Sequence, residues 1–385
     1  MNLNKDNKYP EIRFKGFTED WEQREWKTVM KVNSGRDYKH LDQGEVPVYG
    51  TGGYMLSVNG ALSNEDSIGI GRKGTIDKPQ YLTAPFWTVD TLFYMTPLKN
   101  YNLQFLYFLS QKINWKKLDE STGVPSLSKI NIEKITQYFP NTEEQLKIGE
   151  FFDQLENTIA LHQCKLDKLK SLKKAYLQVL FPEKDQETPY MSFAKVKGTW
   201  EQRKLSEVAD IIGGGTPSTI NPDYWNGNID WYSPVEIGDQ IYLNDSIKKI
   251  TELGLKKSSA KILPVGSILF TSRAGIGNTA ILAKEAATNQ GFQSIVPHKN
   301  KLNSYFIYSR TNELKRYGEI TGAGSTFVEV SGKQMAKMLI RMPSIEEQCK
   351  IGNFFKQFDR IISFQQQKLN KFKELKKAYL NKMFV

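Results

Sequence analysis

Apolar residues recur at alternating steps of four and three in two separate stretches of this chain. The first carries Ile148, Phe152, Leu155 and Ile159, then Leu166, Leu169 and Tyr176. The second carries Ile351, Phe355, Phe358 and Ile362, then Leu369, Phe372 and Tyr379. Side chains three and four residues apart share one face of an α-helix, so each stretch predicts a long helix. Asn141 with Glu144, and Ser344 with Glu347, fit the N-cap and N3 positions of a capping box, with Pro140 and Pro343 just before. From these caps, no Gly other than Gly149 or Gly352 and no Pro interrupts about 38 residues, a rod of roughly 55 Å. The apolar seam is narrow. A helix lying on a globular domain needs a wider stripe, so the pattern predicts that the two helices pair as a coiled coil. The residues expected to pair are Phe152, Leu155, Ile159 and His162 in one helix, and Phe355, Phe358, Ile362 and Gln365 in the other.

One polar position interrupts each seam, His162 and Gln365, and the two are equivalent. In an antiparallel pair, mid-helix residues meet, and a single buried polar contact can set register. Simple solvation of both is an equally good reading. Lysines crowd the second half of each helix, at Lys165, Lys168, Lys170, Lys173 and Lys174, and again at Lys368, Lys371, Lys373, Lys376 and Lys377. Such a run is a solvated face or a docking face for a partner subunit.

The two helices are copies. Phe139–Pro182 aligns without a gap to Met342–Val385 at a constant offset of 203, with 23 identities in 44 positions. The repeat extends upstream at other offsets. Trp21-Glu22-Gln23-Arg24 returns as Trp200-Glu201-Gln202-Arg203 at 179, with Pro10 matching Pro189 and Phe14 matching Phe193. Arg72…Gly74 is matched with Arg273…Gly275 at 201, and Asn102…Phe105 with Asn303…Phe306 at the same offset. The jump from 179 to 201 places an insertion of about 22 residues in the second half. The insertion is expected to include or abut Gly213–Ser218 and Asp223–Trp225. Two repeats are too few for a solenoid and fit a fused pseudo-dimer. The expected domains are residues 1–140, a helix over 141–182, residues 183–342, and a helix over 343–385.

The segments before each helix read as short strands, turns and a few helices. Alternation predicts strands at Ser67–Ile70, Thr91–Met95 and Ser267–Leu269, and helices at Tyr101–Ser110 and Ser304–Lys315. The fold class is therefore α+β, with function carried by loops. The loops that stand out are Tyr49-Gly50-Thr51-Gly52-Gly53-Tyr54, Gly71-Arg72-Lys73-Gly74, Gly213–Ser218 and Ser272-Arg273-Ala274-Gly275. Glycine lets backbone approach a phosphate, Arg bonds a phosphate or a guanine edge, and Ser, Thr, Asn and Gln reach bases or phosphates.

Charge sharpens this picture. The net charge is +11 and the pI about 9.2, which favours a polyanionic partner or a membrane surface. No apolar run approaches the roughly 18 residues of a spanning helix, and the amino terminus lacks a signal peptide's apolar stretch. Cys164 and Cys349 are not equivalent positions and read as reduced thiols of a cytoplasmic protein. Catalytic signals are weak. Gly69-Ile70-Gly71-Arg72-Lys73-Gly74 matches G-x-G-x-x-G, but Asp77-Lys78-Pro79 follows where a helix is required. Asn221-Pro222-Asp223-Tyr224 resembles the Asn-Pro-Pro-Tyr motif of amino-methyltransferases with Asp in place of the second Pro, and a turn fits it better. His40, His162 and His298 lack metal-ligand spacing. A basic, duplicated chain without catalytic motifs points to a binding module.

The two halves, each ending in a Pro-x-x-x-Glu-Gln-x-x-Ile-Gly-x-Phe-Phe helix, resemble the specificity subunit of type I restriction–modification enzymes. GGGTPSTINPDYWNGNIDWYSP (213–234), GSILFTSRAGIGNTAI (266–281) and NQGFQSIVP (289–297) look like one target-recognition domain of that family. YGTGGYM (49–55), IGIGRKGTI (68–76) and PFWTVDTLFY (85–94) look like another class of it. The resemblance implies two α/β recognition domains on a pseudo-two-fold frame, joined by two long helices packed as an antiparallel coiled coil. Each domain would read one half of an asymmetric, bipartite double-stranded DNA site, and the helices would set the spacer. It implies two modification subunits as partners and, beyond them, restriction subunits. S-adenosylmethionine, ATP and Mg would belong to those partners and none to this chain. The recognition domains differ far more than the helices do, which fits unlike half-sites. Readers about 35–55 Å apart would sit one to one and a half DNA turns apart.

Arg72, Lys73 and Arg273 are the first candidates for DNA contact, with Lys73 and Arg273 as phosphate clamps. Gly74, Thr216, Ser218, Tyr224, Trp225 and Ser272 follow. Trp87 and Trp231 fit a core better than a stacking surface. The competing readings are a stand-alone DNA methyltransferase or nuclease, and a coiled-coil scaffold with no DNA role.

Overall fold

A computed structural model describes residues 8–183, 186–193, 199–238, 240–273, 275–322 and 329–385. The chain divides into two compact units: Met1–Lys165 with Gln365–Val385, and Leu166–Phe364. These divisions cut each long helix in the middle rather than at its ends. The reason is that each half-helix packs on a different globular segment.

In the first unit, strand Glu22–Glu25 pairs antiparallel with Thr136–Phe139, closing the segment just before the long helix. A four-stranded antiparallel sheet runs in the order Met30–Ser34, Leu92–Pro97, Ser67–Gly71, Gln80–Leu82. A three-stranded sheet runs Gly53–Val58, Gln43–Gly50, Trp87–Thr88, the last pair parallel. Strand Ser67–Gly71 is buried throughout. The predicted helix spans Leu103–Ser110, capped by Asn102. Trp21, Trp26, Phe105, Phe108 and Phe152 lie in one core with Phe384 from the chain's end.

The second unit repeats this order. Met95 pairs with Val32 and Ile68 in the first unit, and Ile295 pairs with Ile211 and Ile268 in the second. Strand register thus sets the offset at 179 for the first strand and 200 for the other two. This corrects the expected Arg72–Arg273 match. Lys73 bridges Ser126 and Arg273 bridges Glu329, so Lys73 is the counterpart of Arg273 and Arg72 that of Ser272.

Register also relocates the insertion. Tyr49 pairs with Thr88, and Tyr232 with Thr288, an offset of 183. Only four extra residues precede that point, and most of the insertion follows Tyr232. The first unit turns from Gly50 to Gly53 through Thr51-Gly52. The second inserts a segment before strand Lys248–Ile250, and strand Tyr242–Leu243 of that segment becomes a fifth member of the larger sheet. The predicted helix Ser304–Lys315 is broken into Ser304–Tyr308 and Thr311–Gly322. Arg310 sits at the break, nearly buried, with its guanidinium on Glu313 and on the Arg341 carbonyl.

The long helices span Thr142–Val179 and Ile345–Lys382. In each unit, the first half of one packs against the second half of the other, antiparallel. The first unit contains Phe151 against Tyr379 at 5.1 Å, Phe152 against Phe384 at 5.6 Å, and the Glu156–Lys376 ion pair. The second contains Phe354 against Tyr176 at 5.0 Å, Phe355 against Phe181 at 6.0 Å, and Asp359–Lys173 at 2.6 Å. At an offset of 203 these are the same three contacts with the roles of the helices exchanged. Phe152, Leu155, Ile159 and Phe355 are buried, while Phe358 and Ile362 are half-buried.

The repeated Glu-Gln-x-x-Ile-Gly signature has a structural explanation in each unit. Asn141 and Ser344 accept from the backbone of Glu144 and Glu347, but the carboxylates do not return to complete the capping box. Glu144 instead receives Arg13 in a bidentate pair at 2.7 Å, and Glu347 receives the Ser192 hydroxyl. Gln145 and Gln348 accept from the backbone of Asn102 and Asn303, both at 3.1 Å. A Cβ on Gly149 or Gly352 would lie 2.5 Å from the Oδ1 of that same Asn. The signature is therefore the footprint of a short helix docking on a long one.

Candidate functional site

In the first unit five chain segments are tied into one cluster by four backbone hydrogen bonds. The Arg36 amide donates to Thr88 at 2.8 Å, Val89 to Tyr49 at 3.0 Å, Arg72 to Thr91 at 2.8 Å, and Leu127 to Arg72 at 2.9 Å. The second unit has the same four bonds: Gly215 to Thr288 at 2.8 Å, Asn289 to Tyr232 at 3.0 Å, Ser272 to Gly291 at 2.8 Å, and Val330 to Ser272 at 3.0 Å. Glycine is required where two of these loops cross. A Cβ on Gly35 would lie 2.0 Å from the Val89 carbonyl oxygen, and one on Gly214 would lie 2.0 Å from that of Asn289.

An indole braces each cluster from beneath. Trp87 Nε1 donates to the Arg36 carbonyl at 2.9 Å, and Trp231 Nε1 to the Gly215 carbonyl at 2.8 Å. These tryptophans come from different strands. Trp87 faces Val48 across the parallel pair, whereas Trp231 faces Ala287. Large and small residues have changed sides while the hydrogen bond is kept. Both indoles are buried, as expected of core residues.

The side chains presented on this shared backbone differ almost completely. The first cluster exposes Arg36, Asp37, Lys39, Arg72, Lys73 and Asp90. Arg72 lies over the Phe93 ring at 5.7 Å. The turn holding Thr51 is fixed by Gln80 Nε2, which donates to the carbonyls of Gly50 and Thr51. Gly74 adopts a φ of 100°, which suits glycine, and its amide donates to Pro125. Exposed Tyr54 and Met55 follow the turn. The second cluster presents half-buried Thr216, Arg273 and Asn289 with exposed Ser218 and Gln290. The first is cationic, and the second is built largely of neutral hydrogen-bonding groups.

Several expected contacts take other roles. Ser272 is fully buried, its hydroxyl has no partner, and its backbone belongs to the ladder, so it is not a surface contact. Trp225 is half-buried. Its ring packs edge-on against Trp231 at 5.1 Å and its Nε1 donates to the Ser218 carbonyl, holding that loop. Tyr224 closes the short helix Pro222–Tyr224 with its carbonyl accepting from Thr251. Asn221 accepts from the Asp223 amide, which is the turn that the Asn-Pro-Asp-Tyr sequence suggests. Ala274 lies outside the described residues. Gly69 and Gly71 are buried strand residues, and the next regular element is a strand rather than a helix.

Sequence reasoning missed Arg36, Asp37, Lys39, Asp90, Asn289 and Gln290. The offset of 179 carries Gly214-Gly215-Thr216 onto Gly35-Arg36-Asp37, so the first three could have been found by extending the repeat. In the helix seam of the first unit, Gln365 Nε2 lies 2.6 Å from His162 Nδ1 and 3.1 Å from the His162 carbonyl. His162 also stacks on Phe372 at 5.0 Å. Among the described residues, no group of three His, Cys, Asp or Glu side chains is placed to hold a metal, and no helix is long and apolar enough to cross a membrane.

A family model described as the type I restriction modification DNA specificity domain matches residues 18–171 and again 197–374. A specificity subunit of the type I restriction enzyme MjaIX from Methanocaldococcus jannaschii is 37% identical over 171 residues, 44% of this chain and 40% of that protein. The EcoR124I/EcoR124II specificity subunit of Escherichia coli is 31% identical over 173 residues, 43% of this chain and 42% of that protein. The chain thus spans about two fifths of the length of these curated relatives. The crystal structure of a type I restriction–modification S subunit from M. genitalium superposes with a TM-score of 0.71 at 14% identity, covering 98% of this chain and 99% of that one. At that identity the likeness speaks for the fold.

Proposed function

Because the chain belongs to the family of type I restriction modification DNA specificity domains, matched twice along its length, we propose that it is the specificity subunit of such a system. Each loop cluster reads one half of an asymmetric, bipartite site in double-stranded DNA, and the two long helices set the gap between the halves. The observation that carries this reading is the pair of clusters. Four equivalent backbone hydrogen bonds hold equivalent loops in each unit, while the residues at matched positions change from exposed Arg36, Asp37 and Asp90 to buried Gly215, half-buried Thr216 and exposed Gln290. A constant frame with variable side chains suits two readers of different sequences.

The chain supplies recognition and its partners supply chemistry. Two modification subunits would bring the S-adenosylmethionine site, and restriction subunits would bring ATP and Mg. Exposed apolar residues at matched helix positions suit two copies of one partner: Leu161 with Phe364, and Leu172 with Leu375. The test is co-expression with the modification subunits followed by sequencing of methylated bases. A split motif with unlike halves is expected, together with no methyl transfer by the purified chain alone. Turnover by the isolated chain would instead favour a stand-alone methyltransferase.

A further inference from the structure

The loop clusters differ most usefully at one backbone position. Asp90 and Gln290 are equivalent, each one residue beyond an amide that donates to the adjacent strand at 3.0 Å, Val89 to Tyr49 and Asn289 to Tyr232. Both side chains are exposed. We propose that this position determines base specificity in each half-site, with Gln290 reading an adenine and Asp90 a cytosine. The inference rests on the function proposed above and assigns the reading to named atoms.

Gln290 is prepared for such a contact. Its Oε1 accepts from the Thr216 hydroxyl, which orients the exposed carboxamide and leaves the Nε2 amino group to donate elsewhere. A carboxamide held this way complements the major-groove edge of adenine, donating to N7 and accepting from the exocyclic amine through the second lone pair of Oε1. The neighbouring amide is already committed. Asn289 Oδ1 accepts from the Gly291 amide at 2.7 Å, so Asn289 builds the turn while Gln290 projects from it. Thr216 is thus a positioning residue.

Arg273 flanks the same turn. A Cβ on Gly291 would lie 3.6 Å from Arg273 Nε, which places the guanidinium in van der Waals reach of the turn, while its tighter contacts, 2.9 Å to Pro234 and 3.0 Å to Asn289 Oδ1, explain the glycine. In the first unit the equivalent residues are Asp37, Asp90, Thr91 and Lys73. A carboxylate accepts and does not donate, which suits the amino group of cytosine. Lys73 beside it supplies a cation for the backbone phosphate.

The experiment uses the full chain assembled with its modification subunits and a randomised duplex library, reading which sequences become methylated. Gln290→Asp should move the preference at one position of one half-site from adenine toward cytosine, by roughly 5- to 150-fold. Asp90→Gln should make the reverse change in the other half-site. Thr216→Val should weaken discrimination at the position that Gln290 reads and nowhere else, and Thr216→Ser should restore it. Should Gln290→Asp prove inactive, Asp90→Gln and Thr216→Val decide. The proposal is overturned if the active variants keep the wild-type motif, or if preference declines equally at every position. A wild-type complex that methylates no split motif would overturn the function reading itself, a separable result.

Discussion

Replacing Gly149 or Gly352 by alanine sets two effects of opposite sign against each other. Each glycine lies inside a long helix, where alanine is intrinsically favoured by about 1 kcal/mol. Helix propensity alone therefore predicts stabilisation. The structure predicts the reverse. A Cβ at 149 would lie 2.5 Å from Asn102 Oδ1 and 3.0 Å from the Phe105 amide nitrogen. That oxygen is the N-cap of the short helix, accepting from Phe105 at 2.8 Å. Moving it loses a cap worth about 1 kcal/mol, and forcing the helices apart costs about 1–3 kcal/mol more. The net expectation is destabilisation of about 1–3 kcal/mol. Gly352 stands in the same relation to Asn303 and Phe306, at 2.5 and 3.1 Å, so its substitution should behave alike. Urea unfolding measures the total, and amide hydrogen exchange at Phe105 or Phe306 reports whether the short helix is what loosens. In an Asn102→Ala background the cost of Gly149→Ala should shrink by about 1 kcal/mol, the cap having already gone. Stabilisation near 1 kcal/mol in the single variant would refute the reasoning.

Three further outcomes follow from the same geometry. Gly214→Ala drives a Cβ to 2.0 Å from a carbonyl oxygen and should cost about 2–4 kcal/mol, read as a lowered urea midpoint; an unchanged midpoint would show that the crossing of loops is not tight. Asp230 accepts from Lys249 and Ser246, which outweigh the upward push of burial and hold its carboxyl below the ordinary 3.8. A depressed carboxyl pKa contributes stability above the unfolded value and loses it as pH falls through the folded one, so the loss lies below about pH 4; Asp230→Asn should flatten that acid limb in a pH series of urea melts. Deleting one heptad from both long helices should change the spacer in the methylated motif and leave the half-site bases intact, and altered half-site bases would count against the helices as a ruler.

The long helices and their equivalence were legible in the residues because both signals are local. A seam of Ile, Phe and Leu at steps of four and three predicts a helix wherever it occurs, and a gapless repeat at 203 needs no tertiary information. The strands Ser67–Gly71 and Leu92–Pro97 were legible for the same reason. Failure came where position depends on partners distant in the chain. The Arg-x-Gly match put Arg72 with Arg273, but the ladder through Met95 and Ile295 shifts the register by one and pairs Lys73 with Arg273. Ser272 reads as a surface hydroxyl beside an arginine, yet it sits between the bridges that Thr271 and Arg273 make to distant segments, and those segments bury it.

What the sequence by itself determined is the inventory: two α+β segments, two copies of one helix, a basic surface and a family signature. Tertiary structure decided what that signature does. Glu144 and Glu347 bond side chains in the segment ahead of each globular domain, Gln145 and Gln348 bond a short helix, and Gly149 and Gly352 let it approach. It also decided which loops meet. Gly35, Tyr49, Arg72 and Val89 are scattered along the chain and become neighbours only through strand pairing, as do Gly214, Tyr232, Ser272 and Asn289. The physical reason is range. Helix periodicity and capping are settled within a few residues, whereas the site is assembled by hydrogen bonds between residues tens of positions apart.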